Sequence, residues 1–399
     1  MPTTNAAEPS RKRLLLIGAG HAHAQVLRRF VEAPLAGVDI VIVSPSALAP
    51  YSGMVPGWLS GAYAFEEICI DFAALARAAG ARLIIGELQS LDPDQRAVRL
   101  LSGEELPYDT LSLNVGSTLS PPAPAGTLVL SLRPLGKLRH AWDTLLSQID
   151  HISHAKTPFT VTAVGGGAAG VEALLGCLAR LRTLQPERTF HARLLTRGRT
   201  ILPGFPPRAV KAAQRALRAA GAEVIVDTEL DDAAAKSSDL ILWATGAEAH
   251  AWQRSCGLSL SERGFIRVDA NLRSVSHPEV YAVGDCAEWA DPLPKAGVYS
   301  VRMGPTLTHN LRISVGKQGS LLEYRPQRRI LALLATGDYR AIAARGGWSA
   351  SGRLVGRLLW HWKDHIDRKF LRHFTAERMK HSGGPHHSAR AGVRLEHAQ

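Results

Sequence analysis

Leu14-Leu15-Leu16-Ile17-Gly18-Ala19-Gly20 and Thr160-Val161-Thr162-Ala163-Val164-Gly165-Gly166-Gly167 decide the fold. Each is an apolar, β-rich run that breaks at glycines and continues as a helical pattern. Such a turn reverses the chain tightly and lets a pyrophosphate reach backbone amides at a helix N-terminus, where the helix dipole favours negative charge. Two copies of the device predict two nucleotide-binding units.

Each unit closes alike, with Leu111-Ser112-Leu113-Asn114-Val115-Gly116 in the first and Leu240-Ile241-Leu242-Trp243-Ala244-Thr245-Gly246 in the second. Pro121-Pro122-Ala123-Pro124 reads as a linker, and Gly264-Phe265-Ile266-Arg267-Val268 as a strand returning to the first unit. The expectation is an α/β protein with two Rossmann-like domains, the second inserted in the first. Residues 11–118 and 264–325 would form one domain and residues 119–263 the other. Ile330 to Leu334 and Tyr339 to Ala344 read as a hairpin. Val355, Leu359, Trp362, Ile366, Phe370 and Phe374 recur at helical steps, so residues 326–382 should form that hairpin and an amphipathic helix starting near Gly352. Residues 383–399 lack periodicity and read as a disordered tail.

Forty-seven Lys plus Arg against 35 Asp plus Glu give a net charge of +12, which attracts polyanions. No nucleic-acid motif or aromatic–basic interleaving is present, so nucleic acid is not an expected partner. Cys69, Cys177, Cys256 and Cys286 show no paired spacing, so neither a disulfide framework nor a redox dithiol is predicted. The first residues lack the apolar core of a secretory signal, and no apolar run reaches the ~18 residues of a membrane-spanning helix. The expected place is the cytoplasm, with peripheral attachment to the inner face of the cell membrane left open.

The two glycine turns are unequal. Gly18 and Gly20 meet the first two positions of G-x-G-x-x-G, but His23 stands at the third. The next strand ends at Ser44-Pro45 rather than at an acid, and a serine would hold a ribose hydroxyl only weakly. Gly165, Gly167 and Gly170 are in full register, with Glu172 following on the helix. Arg197 and Arg199 end the adjacent strand and would meet a 2′-phosphate, favouring NADPH, or lie solvated on a loop. Asp285, a carboxylate delivered at a glycine turn by Tyr281-Ala282-Val283-Gly284, is placed to grip ribityl hydroxyls; a turn or N-cap aspartate is the plainer reading. His21 and His23 supply too few ligands for a metal and read as phosphate contacts or packing. His381, His386 and His387 read as solvated.

Together these features resemble the pyridine nucleotide–disulfide oxidoreductase superfamily, and within it the type II NADH dehydrogenase-like branch. Gly18 to His23, Ser44-Pro45-Ser46, Pro50 to Gly57 and Pro294 to Arg302 resemble in particular the flavoprotein module found fused to selenide, water dikinase, whose kinase domain this chain lacks. The resemblance implies FAD held by Gly18, Gly20, His21, Ser44, Pro45, Pro50, Ser52, Gly53, Met54, Asn114, Gly116, Asp285 and Lys295. It implies NADH or NADPH held by Gly165, Gly167, Gly170, Glu172, Arg197, Thr245 and Gly246. Pro50 to Met54 would run along the flavin and Lys295 to Arg302 along its other rim, making Glu172, Lys295 and Tyr299 the candidate catalytic residues. Gly304-Pro305-Thr306 reads as a helix start, and the resemblance implies that this helix aims its positive end at the flavin pyrimidine.

Hydride would then pass from the nicotinamide to FAD and two electrons onward to a quinone or another diffusible acceptor. Delivery to a sulfur or selenium species, with Cys69 or Cys286 as the thiol, and a flavin-binding redox scaffold are the alternatives. The basic C-terminal helix fits an anionic membrane surface; packing on the body or on a second copy in a homodimer is the other reading. NADPH use predicts that Arg197→Ala lowers the NADPH to NADH ratio of specificity constants about tenfold. An unchanged ratio assigns Arg197 to the solvated loop.

Overall fold

A computed structural model of the chain describes residues 11–122, 124–149, 158–327 and 329–375. The expected tail and its histidines lie outside the described residues. The first part of the chain supplies β1 (Lys12–Ile17), α1 (His21–Glu32), β2 (Val38–Ser44), β3 (Arg82–Ile85) and β4 (Thr110–Leu113). Next come β5 (Leu128–Ser131), β6 (Phe159–Val164), α2 (Ala168–Leu184), β7 (Phe190–Leu195), α3 (Pro207–Ala219), β8 (Ala222–Ile225) and β9 (Leu240–Trp243). The chain ends with β10 (Val280–Ala282), α4 (Gly297–Ser314), β11 (Ala332–Ala335), β12 (Ala341–Arg345), β13 (Trp348–Ala350) and α5 (Arg353–Arg372).

Two five-stranded parallel sheets result, in the orders β10-β4-β1-β2-β3 and β5-β9-β6-β7-β8. The first sheet is completed by β10, which follows the whole second sheet in sequence, so the second unit is inserted in the first. Strands covered on both faces need unbroken apolar runs, and Leu14 to Ile17 are almost fully buried. Between β3 and β4 the chain builds three antiparallel strands, Leu88–Asp92, Ala97–Leu100 and Glu105–Pro107, for which the sequence reading has no counterpart.

The expected helix start at Gly304-Pro305 is corrected. α4 begins at Gly297, after an extended Ala296, and Pro305 lies inside it. An internal proline cannot donate to the carbonyl four residues back, here Val301. Gln25 on α1 fills that gap, its Nε2 donating to Val301 O at 2.6 Å. Gly304 permits the approach, because a Cβ there would lie 2.8 Å from the Gln25 side chain.

The C-terminal hairpin gains a third strand, β13, paired with β12. Its apolar face joins α2 and α3 in one core cluster. The expected stripe on α5 is also corrected. Leu359 and Phe374 turn inward with Gly356, Trp360, Lys363 and Asp367, whereas Val355, Trp362 and Ile366 face outward with Leu354 and Leu358. The helix carries apolar side chains on two faces, and the periodicity mixed them.

Gln25→Met keeps the side-chain length and deletes the donor, so it should lower stability by about 1–3 kcal/mol in urea unfolding. Pro305→Ala restores an N–H to the helix and should recover most of that loss, a coupling that a double-mutant cycle measures.

Candidate active site

The carboxyl ends of β1, β4 and β10 meet the starts of α1 and α4, where open α/β sheets bind ligands. Gly18, at φ +98°, leaves β1 so close to β4 that a Cβ would lie 2.5 Å from Asn114 O. At Gly20 a Cβ would lie 2.1 Å from Asn114 Oδ1. These glycines serve contact with Asn114. That buried amide accepts from Ala22 N (3.1 Å) and His23 N (3.4 Å) and donates to Val283 O (3.0 Å) and Ser300 Oγ (3.4 Å).

His23 explains the missing third glycine. Burial lowers its pKa to about 4, so the ring is neutral. Nδ1 faces Gly18 O at 2.7 Å and must carry the proton, which leaves Nε2 to accept from Ser112 Oγ at 2.8 Å. The ring thus ties the turn to β4 by hydrogen bonds where a glycine would allow plain close packing. Burial lowers His21 to about 4 as well; its Nε2 accepts from Ser52 N at 3.3 Å, and its ring meets Tyr51 edge-on at 5.3 Å.

Pro50 ends a short strand, Leu48–Pro50, and Ser52–Met54 form a single 3-10 turn. This loop abuts α4, since a Cβ at Gly297 would lie 2.5 Å from Ser52 Oγ. It is also clasped from α5. Lys363 Nζ donates to Gly53 O at 2.5 Å and pairs with Asp367 at 2.6 Å, both side chains under 10% exposed. The Phe370 ring packs against that of Tyr51, tilted by 36° with centroids 4.7 Å apart.

Asp285 follows Gly284, which sits at φ +71°. Its carboxylate meets the Arg133 guanidinium and lies 3.5 Å from the Ser117 hydroxyl, which donates to it. Arg133 follows β5, so the second unit reaches into the edge of the first; its Nη2 also donates to Lys295 O at 3.1 Å. Nothing in the sequence singled out Arg133. The Lys295 ammonium turns away, donating to Ala287 O at 2.5 Å and lying 3.7 Å over the Phe265 ring. Tyr299 is buried in an apolar cluster with Met303 and Leu307. Ser44 spends its hydroxyl on Ser46 O at 2.8 Å, so Ser44-Pro45 forms a local turn. Space at Gly116 is open, at φ +73°.

In the second unit the three glycines divide their work. A Cβ at Gly165 would lie 2.2 Å from Ala244 O, next to Thr245 and Gly246, and one at Gly170 would lie 2.0 Å from Gly165 O. At Gly167 it would meet nothing within 4 Å. The helix behind it has no side-chain cap and no acid in its first turn. α4 likewise starts uncapped and without an acid. Free amides and an open approach fit a pyrophosphate, so the residues present suit the dinucleotides. Arg197 lies 3.7 Å from Glu229, both highly exposed, a surface pair of little weight.

Glu172, on the second turn of α2, points to the C-terminal sheet: its Oε1 accepts from Ala335 N at 2.7 Å. Burial raises its pKa from 4.5 to about 7, with Lys363 opposing the rise.

Two parallel sheets, each with a glycine turn at its carboxyl edge and one delivering an aspartate at Asp285, define a two-dinucleotide oxidoreductase. The chain belongs to the pyridine nucleotide-disulphide oxidoreductase family, whose model matches residues 12–310. It is an FAD-dependent enzyme that uses NADH or NADPH. It is 26% identical over 293 residues to ferroptosis suppressor protein 1 of Homo sapiens, covering 68% of this chain and 74% of that protein. It is 24% identical over 362 residues to the internal alternative NAD(P)H-ubiquinone oxidoreductase A1 of Arabidopsis thaliana, covering 80% and 69%. The structure of NDH2 from Plasmodium falciparum in complex with NADH shares the fold, with a TM-score of 0.74 at 12% identity over 91% of this chain and 97% of that one.

The raised Glu172 pKa fixes a sign. Below pH 4.5 the carboxyl is protonated folded and unfolded, so it costs nothing; from there to about pH 7 the unfolded chain ionises first and stability falls. Glu172→Gln keeps the acceptor for Ala335 and removes the penalty. It should match the wild type near pH 4.5 and exceed it by on the order of 3 kcal/mol at pH 8, read as urea midpoints.

Proposed function

We propose that the protein passes two electrons from NAD(P)H through FAD to a quinone presented at an anionic membrane surface. The observation that carries this reading is the two-faced α5. Its inner face holds Gly53 through Lys363 and Tyr51 through Phe370. Its outer face leaves Leu354 at 74% and Leu358 at 70% exposed, with Trp362 and Ile366 beside them and Arg353, Arg357 and Lys369 around them. A helix that touches the expected flavin loop on one side and offers apolar and basic groups on the other suits an acceptor dissolved in lipid. The ubiquinone in the name of the Arabidopsis thaliana relative agrees with that acceptor.

FAD, when bound, supplies a two-electron carrier between hydride donor and quinone. The free amides behind Gly167 would take the coenzyme's pyrophosphate, and the Gly18–Gly20 turn, ahead of the two α1 amides that Asn114 occupies, that of FAD, with Asp285 and Ser117 on the ribityl hydroxyls. Lys363 positions Gly53 O, and Glu172 can hold or release a proton near neutral pH. Lys295 and Tyr299 are left as positioning groups through the Lys295 carbonyl and core packing. Burial pushes Cys69 up to about 12 and Cys286 up to about 11, so neither is a thiolate near neutral pH, which weighs against a sulfur or selenium acceptor. Four free cysteines favour the reducing, cytoplasmic side of the membrane. Among the described residues no helix is long and apolar enough to cross a membrane.

In stopped flow, NADH should bleach the flavin and a quinone should restore it rapidly; slow reoxidation by every quinone overturns the proposal. Leu354→Asp/Leu358→Asp should leave bleaching and reoxidation by a short, soluble quinone intact. It should cut vesicle binding, and reoxidation by a long-chain quinone held in vesicles, about tenfold or more.

A further inference from the structure

A cleft of about 440 Å³ opens between α2, α3 and the C-terminal sheet, and it shares no residue with the candidate active site. Alanines of α2 and α3 give it a small-residue apolar lining. Its charged lining is Arg182, Arg215, Arg340 and Arg353, against the single acid Asp338. Asp338 is already engaged, accepting from Thr336 Oγ1 at 2.6 Å and lying 3.3 Å from Arg340 Nη1. Arg182 donates to the carbonyl of Ala220 at 2.8 Å, which leaves its charge uncompensated. Arg215 and Arg353 have no ion-pair partner among the described residues, and the buried Arg340 Nε has no hydrogen-bond acceptor. Four cations facing one spent anion call for an anionic ligand, and guanidinium forks match phosphate oxygens best.

The position of the cleft narrows the choice. Arg353 directly precedes the exposed Leu354, Tyr339 is exposed between Asp338 and Arg340, and the exposed Trp348 lies three residues before Ser351 on the lining. The arginines therefore open beside the apolar strip of α5, as a headgroup pocket beside a bed for acyl chains.

We infer that this cleft seats the phosphodiester headgroup of an anionic lipid whose chains lie along the outer face of α5. The inference rests on the membrane reading proposed above and adds lipid selectivity to it. Diffuse attraction between a basic surface and any anionic membrane is a different state of affairs, since it depends on charge alone and fades with salt.

The test is sedimentation of the full-length holoprotein with vesicles of phosphatidylglycerol or of phosphatidylcholine, at an ionic strength that screens diffuse attraction. The wild type should prefer phosphatidylglycerol. Arg215→Ala/Arg353→Ala removes two solvent-facing arginines and should bind phosphatidylglycerol about twenty-five-fold more weakly, at about fivefold per arginine, with phosphatidylcholine binding unchanged. Arg208→Ala/Lys211→Ala removes the same charge from α3 outside the cleft and should keep the preference. Equal losses in the two double variants overturn the pocket in favour of diffuse attraction. Equal binding of the two lipids by the wild type overturns the pocket and leaves the membrane reading standing; binding to neither overturns both. Sodium phosphate that raises the Tm of the wild type, without any lipid preference, assigns the cleft to a soluble phosphate and overturns the lipid.

Discussion

The carboxamide of Asn114 holds the first unit together at its working edge. It presents an acceptor to the first amides of α1 and donors to β10 and to Ser300 on α4, so one side chain satisfies groups from three other elements. An aspartate could not donate to Val283 O, and a leucine would strand every partner in the core at about 1–3 kcal/mol each. Gly18 and Gly20 follow from it. They are small because the end of β4 stands where their Cβ atoms would be.

Features governed by local spacing were legible in the sequence: the second glycine turn, the alternation of strands and helices, the return strand ending at Asp285 and the C-terminal hairpin. What escaped depends on partners far away in the chain. Pro305 reads locally as a helix start, yet the helix passes through it because Gln25 supplies the missing donor. His23 reads as a defect until Ser112 is seen beside it. Arg133 carries no motif, and its partner Asp285 comes from the other side of the inserted unit. On α5 the hydrophobic period located a helix but not its orientation, because the inner face contains the ion pair Lys363 and Asp367.

That pair is unusual for a buried helix face. Removing two charges from water is costly, and the loss is offset when their remaining hydrogen-bonding capacity is used, as the contact of Lys363 with Gly53 O does here. The arrangement specifies one seating of α5. Leu359 and Trp360 enter the core shared with α2 and α3, while Phe374 enters the core of the first unit. The helix thus spans both units and holds the loop at the candidate active site between them.

The insertion also bears on the order in which the molecule can be assembled. The second sheet draws on an unbroken stretch from Leu128 to Trp243, so a ribosome delivers all its strands consecutively. The first sheet must wait for Val280 to Ala282, and the clasp on Gly53 for a lysine 310 positions further along. Domains close as units once their strands are available, and long-range closures are slow. During synthesis the inserted unit can therefore be complete while the carboxyl edge of the first sheet is still open, so the FAD proposed to bind at that edge would load at the last stage of making this protein.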